Sequence, residues 1–323
     1  MGIDKDTPIT REQIVDALES SGYPFEVALY QQFAAAGMDP TLGQRFRVRD
    51  PERGGDGLVS REIDLVARVR ETTAVVDHVM SAGITPLVEA KKLQEPLRLV
   101  GILIPPPERN QLVAWRAKFH GCPSFGILPK DGSHAPLFLN SPGIGDSLAP
   151  FLDAPFCAHW AVVRRKDKGP NYPPFASGDT GDENVRIHDG LQTLVAATTW
   201  LEREASEHLQ SVGVAVSPVP ALDSFMPTLA VHTPTLHLYD PVTRTLSDVH
   251  WFTVSKTFEV DGEIIHRLID VVTHAGIAAL IDRCKQAGKA LLELMVANHR
   301  ELHELAIEVR KSNVPRYKIQ LGR

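Results

Sequence analysis

The sequence predicts an α/β protein, and three observations carry that expectation. Two amphipathic helical segments open the chain. Runs with strand-like, two-residue alternation follow them. A long stretch with helical periodicity then precedes further strand-like runs. The first helix has a clear start. Thr10 and Gln13 stand at capping-box spacing and Ile9 and Ile14 at hydrophobic-staple spacing, and the segment runs through REQIVDALES to a break at Ser21-Gly22. A second helix is expected from Pro24 to about Ala36, with Pro24 suited to its first turn and Gly37 to its end. Phe25, Leu29 and Phe33 recur every four positions, which gives that helix one apolar stripe.

Three strand-like runs come next. QRFRVRD alternates Phe46 and Val48 with arginines, REIDLVARV alternates Ile63, Leu65 and Ala67 against Glu62, Asp64 and Val66, and TPLVEAKK completes the set. The stretch from Thr72 to Ile84 carries no clear pattern. From Pro96 to about Asp182 the composition changes to proline clusters and glycine-rich loops around short apolar runs (FGILP, PLFL, HWAVV). It is too apolar for a disordered linker, so it reads as an inserted subdomain. Ile187, Leu191, Leu194, Val195, Thr198 and Leu201 then mark one face of a long helix. TLAVHTP, TLHLYD and WFTVSK read as strands, a helix is expected from about Ile269 to Ala297, and a charged, basic segment follows. The expected division is a core formed by 1–96 and 184–300, an insertion at 97–183, and a helical extension with a basic tail at 301–323.

Composition narrows the function classes. The chain has 323 residues, 43% hydrophobic and 23% charged, enough for a sizeable core, and a net charge of −6. No run approaches the roughly 18 apolar residues of a membrane span, no secretory leader is visible, and Cys122, Cys157 and Cys284 form no close pair. These features point to a cytoplasmic protein with no membrane partner. A nucleic-acid coat protein is usually basic throughout, so any nucleic-acid contact here must be a local patch on an acidic body.

The chemistry-bearing residues are Asp64, Glu89 and Lys91. Residues two apart on a strand share a face, so Glu89 and Lys91 point the same way, and Asp64 lies within a different apolar strand. If the two strands are neighbours, two carboxylates and an ammonium meet at one point. Carboxylate oxygens suit a hard cation such as Mg²⁺, or Mn²⁺ in its place, with the Ala90 carbonyl as a further ligand. Such an ion activates water against a phosphodiester, and Lys91 steadies the charge that develops. Glu62 reads as a second exposed acid on the same face as Asp64, with a metal ligand as the alternative.

An acid in one strand followed by Glu-x-Lys in a second resembles the PD-(D/E)XK nuclease superfamily. GYPFEVALYQQF before Gly37 is similar to that family's first helix, which assigns Glu26 to the metal site. Gln192 in the long helix is similar to the glutamine that some branches place near the catalytic lysine. The resemblance covers roughly residues 10–95 and 186–256. It implies a restriction-endonuclease-like αβββαβ core, a mixed central sheet flanked by helices, and Mg²⁺-dependent hydrolysis of DNA in restriction, repair or anti-phage defence, with a homo-oligomer or a partner protein in that setting. The family's proline before the first acid is replaced by Ile63.

Other motifs compete with this reading. A non-catalytic restriction-endonuclease-like scaffold or nucleic-acid adaptor is the main rival. GDSL at 145–148 suggests a serine hydrolase using Ser147, but no Asp-x-x-His partner follows. His299 and His303 stand one turn apart with Arg300 where a zinc protease needs glutamate, and His232 and His237 find no third ligand. Arg164, Arg165 and Lys166 form the densest basic run of the insertion, and with Trp115 and Trp160 they are its candidate nucleic-acid contacts.

Overall fold

The computed structural model describes residues 9–49, 58–75, 78–93, 98–104, 154–165, 175–177, 182–211 and 221–300. The chain opens with helices α1 (Arg11–Ser20) and α2 (Tyr23–Ala35). Thr10 caps α1 as its spacing predicts. Its hydroxyl accepts from the Gln13 N–H (3.3 Å), while the Gln13 side chain accepts from the Thr10 N–H (2.9 Å). Helix α2 starts with proline in its first turn and buries Phe25, Leu29 and Phe33. Gly37, just beyond it, takes the positive φ of 75° that a glycine adopts without strain.

A meander of three strands follows: β1 (Asp39–Arg49), β2 (Leu58–Val75) and β3 (His78–Lys92), each antiparallel to the next. The unpatterned stretch from Thr72 onward is the far end of this hairpin, where β2 and β3 stay paired as far as Val75 and His78. Strands β4 (Arg98–Leu103), β5 (Phe156–Arg165) and β6 (Phe175–Ser177) come from the segment read as an insertion, and they pair within the same sheet as the core. The HWAVV run lies in β5. FGILP and PLFL fall outside the described residues.

Helix α3 (Asp182–Ser211) is the long helix, and Ile187, Leu191, Leu194, Val195, Thr198 and Leu201 are all buried on it. Then come β7 (Ala221–His232), β8 (Leu236–Asp240), β9 (Thr245–Val249), β10 (Trp251–Val260) and β11 (Glu263–Thr273), and finally helix α4 (Ile277–Ala297). The helix expected from about Ile269 therefore begins eight residues later, at Ile277. EIIHRLIDVVT is rich in β-branched residues, which favour a pleated, half-buried surface, and it pairs with β10 along its whole length.

The eleven strands form one mixed sheet in the order β1-β2-β3-β7-β11-β10-β5-β4-β8-β9, with β6 beside β5. Strands β3, β7 and β11 run parallel at its centre. Helices α2 and α4 cover one face and α3 the other, so each central strand sends alternate residues into two cores. On β3, Val88 joins Leu29, Phe33 and Leu280, whereas Leu87 joins Leu191, Leu194 and Val195. The architecture is thus mixed α/β with helices on both faces. No helix among the described residues is long and apolar enough to cross a membrane.

Candidate active site

The meander brings the three chemistry-bearing residues together. Leu65 pairs with Val88 and Val66 with Leu87, and the same register carried on sets Asp64 opposite Glu89. The regular ladder stops there because Asp64 takes over a backbone role: its Oδ2 accepts from the Ala90 N–H at 2.7 Å. In an antiparallel pair a residue's N–H and C=O face the same neighbour, so the Ala90 carbonyl also faces the β2 side. Strand alternation slips at this point. Ile63 and Val66 reach the α3 core while Leu65 reaches the opposite one. Across on β1, Gly43 adopts φ 63°, a left-handed conformation that a side chain would strain. Asp64 therefore sits at a kink between two paired strands.

Glu89 is 6% exposed, yet it is a carboxyl group. Lys91 Nζ donates to its Oε1 at 2.6 Å, and the shared face predicted from the two-residue spacing is what allows this. Its Oε2 is buried and finds no hydrogen-bond partner among the described residues. Burial, then the neighbouring Asp64 carboxylate, push the Glu89 carboxyl up to about 7, against the pull of Lys91. Asp64 is raised above the ordinary carboxylate range by burial, opposed by the Ala90 N–H and Lys91.

Glu26, from α2, belongs to the same electrostatic cluster. Its carboxyl is raised first by burial and then by Asp64, with Glu62 adding to the rise and Lys91 opposing it. Glu62 itself is exposed, as expected, and forms a 3.7 Å ion pair with Arg45. Three acids thus share one ammonium, an arrangement that favours a further positive charge. Among the described residues no group of three or more His, Cys, Asp or Glu side chains is placed to hold a metal ion. The donor set is two strand carboxylates, with a helix carboxylate and a backbone carbonyl beside them.

Gln192 is not brought to this site. It is exposed on α3, and residues two apart on a helix do not share a face. The α3 residue that does reach the site is Gly190, where an added Cβ would lie 2.8 Å from Lys91 Cε and 3.2 Å from Glu89 Cγ. The sequence reading missed Gly190, although an isolated glycine inside a helical pattern is the available signal for such a packing role. Gly190→Ala should keep or slightly raise helix stability, since alanine is the better helix former by about 1 kcal/mol. The new methyl group must displace the flexible end of Lys91. Misplacement of that size should lower any activity of the site by about 10²-fold with a thermal midpoint that does not fall. Parallel rate and melting measurements check this.

The other sequence candidates are placed as follows. The backbones of Arg164 and Arg165 end β5, opposite Ala176 and Phe175, while their side chains, Lys166, Trp115 and Ser147 lie outside the described residues. Trp160 lies on β5 with the Lys256 ammonium 4.1 Å from its ring centre, so it is already engaged. His237 meets Asp248 at 2.8 Å, and His232 packs on Phe25 with ring centres 5.0 Å apart. His299 Nδ1 lies 2.9 Å from the Val296 carbonyl, and His303 is outside the described residues. Cys157 and Cys284 are buried and in no disulfide, and burial pushes Cys157 up to about 12. A second buried acid, Asp270, accepts from Trp251 Nε1 at 3.1 Å and Thr253 Oγ1 at 2.6 Å, a network that ties β10 to β11. No known family model, characterised protein or solved structure matches this chain.

Proposed function

We propose that this chain is a metal-dependent nuclease of the PD-(D/E)XK class, acting on DNA in a restriction, repair or defence setting. The observation that carries the reading is the meeting of Asp64, Glu89 and Lys91 on adjacent strands, with one oxygen of Glu89 buried and unpartnered. A buried, unsatisfied carboxylate oxygen is costly, and a cation at that position would remove the cost. The element order gives further support: α2, the β1-β2-β3 meander, α3 and β7 parallel to β3 match αβββαβ once β4, β5 and β6, which stand between β3 and α3 in the chain and join the same sheet, are set apart.

The residues present fit Mg²⁺ or Mn²⁺. Asp64, Glu89 and the Ala90 carbonyl would hold the ion, with Glu26 as a further ligand on the helix side. When bound, the ion supplies Lewis acidity toward a phosphate oxygen and lowers the pKa of a coordinated water. The protein's own groups do the rest. The Ala90 N–H fixes the Asp64 carboxylate, which leaves its other oxygen for a ligand. Lys91 places a compact positive charge beside Glu89, where it can orient a water molecule and stabilise negative charge building on the phosphate. Gly190 leaves room for the lysine stem.

Purified protein incubated with supercoiled, linear and single-stranded DNA, and with RNA, is expected to cut DNA with Mg²⁺ or Mn²⁺ and to stop in EDTA. Cutting that persists in EDTA would overturn the metal mechanism. Binding of DNA with no cutting under any metal would leave the adaptor reading in its place.

A further inference from the structure

The two strands that carry Asp64 to the site also carry an unusual amount of positive charge for an acidic chain. Strands β1 and β2 contain Arg45, Arg47, Arg49, Arg61, Arg68 and Arg70 against Asp39, Glu62, Asp64 and Glu71, in a protein whose net charge is −6. Strand β1 forms one edge of the sheet. Phe46 and Val48 turn into the α3 core, Phe46 lying 6.5 Å from the Trp200 ring. Arg45 and Arg47 alternate with them, so they point to the other side, where both are exposed.

Register ties this pair to the site. Arg47 stands opposite Ser60 and Arg45 opposite Glu62, and Asp64 lies two residues further along β2, about 7 Å away. Arg47, Arg45 and Glu62 therefore form a row on the side of the sheet away from α3, leading along the strand pair toward Asp64, where the alternation slips. Glu62 and Asp64 both act on Glu26 across that cluster. The partner that Arg45 has is weak and exchangeable: its ion pair with Glu62 is 3.7 Å long, with the two side chains 79% and 56% exposed. An arginine fork matches phosphate oxygens two at a time.

We infer that Arg45 and Arg47 form a docking row for the phosphate backbone of a nucleic acid, leading it along β1 and β2 toward Asp64. The inference rests on the nuclease reading for its occupant, and it locates the nucleic-acid contact in the core strands, in place of the Arg164-Arg165-Lys166 run. The acidic body explains why the row must be local. Repulsion elsewhere on the surface leaves this edge as a favourable approach and aligns the backbone with the site.

The test is binding, read without turnover. A short fluorescent DNA duplex is titrated with wild-type protein, Arg45→Ala/Arg47→Ala and Arg45→Lys/Arg47→Lys across a salt series, with Ca²⁺ in place of Mg²⁺. The alanine pair should bind about tenfold more weakly. Its slope of log affinity against log salt should be shallower by about 2, since about 0.9 is lost per phosphate contact. The lysine pair should keep the wild-type slope. Both side chains are exposed, and an unchanged melting point for each variant confirms that binding, not folding, is being read. An unchanged slope in the alanine pair, or wild-type protein that shows no salt-dependent binding, overturns the inference. Wild-type protein that binds through these arginines but never cuts would instead sink the nuclease reading and leave the docking row standing.

Discussion

Lys91→Ala is expected to lower metal-dependent DNA cleavage by about 10²–10³-fold, the cost typical of removing one group that stabilises charge in a transition state. The fold should survive. Lys91 is half-buried, its ammonium meets Glu89, and its stem runs past Gly190 without filling a core position. Loss of the ammonium removes the one positive charge among Glu26, Asp64 and Glu89, so all three carboxyl groups should titrate higher. Asp64→Asn should be as damaging for a different reason, because it removes a charged ligand while keeping an oxygen to receive the Ala90 N–H. Single-turnover cleavage with each variant, alongside its circular dichroism spectrum, gives the check. Lys91→Ala protein that cuts at the wild-type rate would remove the lysine from the mechanism.

The second large effect is on stability in the metal-free protein. The Glu89 carboxyl is raised from an ordinary 4.5 to about 7, so the folded state holds a proton that the unfolded chain releases between those values. The folded state binds more protons in that window, and stability must therefore fall as pH rises from about 4.5 through about 7. The shift is worth about 3 kcal/mol at most, fully present below the window and absent above it. Denaturant unfolding in EDTA at pH 4.5 and pH 8 should show the loss, and Glu89→Gln, which cannot ionise, should remove that part of the difference. A wild-type profile that matches Glu89→Gln throughout would mean that the carboxyl is not held neutral by the fold. Metal binding requires the ionised form, so Mg²⁺ should release a proton near neutral pH.

Much of the candidate site was legible because it depends on period-2 geometry. The Glu89–Lys91 contact follows from spacing alone, and the apolar settings of Asp64 and Val88 place their strands inside a sheet. Glu26 was legible only through the resemblance. Its helix stripe Phe25-Leu29-Phe33 fixes which face is buried, but not which strand lies beneath it. The kink at Gly43 and Asp64, and the approach of Gly190 to Lys91, are tertiary facts. Each depends on a partner far away in the chain, so no local pattern encodes it.

The same locality explains the misplaced helix. EIIHRLIDVVT carries apolar residues at spacings compatible with either structure, and its full-length pairing with β10 decides for a strand. The role of residues 98–104, 156–165 and 175–177 was equally hidden. Strands β4 and β5 are short apolar runs, and only their hydrogen bonds reveal that they extend the central sheet.

The placement of β3 has a consequence for how the molecule is made. Its neighbour β2 is a hairpin partner, but its parallel neighbour β7 pairs Leu229 with Glu89, across 140 residues of chain (229 less 89). Contacts of such long sequence separation form slowly. Until β7 arrives during synthesis, β3 presents one unpaired, largely apolar edge bearing ITPLVEA, a surface of the kind that pairs with the wrong chain. The strand that holds Glu89 and Lys91 is thus also an aggregation hazard for the nascent protein. A chain released before residue 232 should need a chaperone to stay in solution.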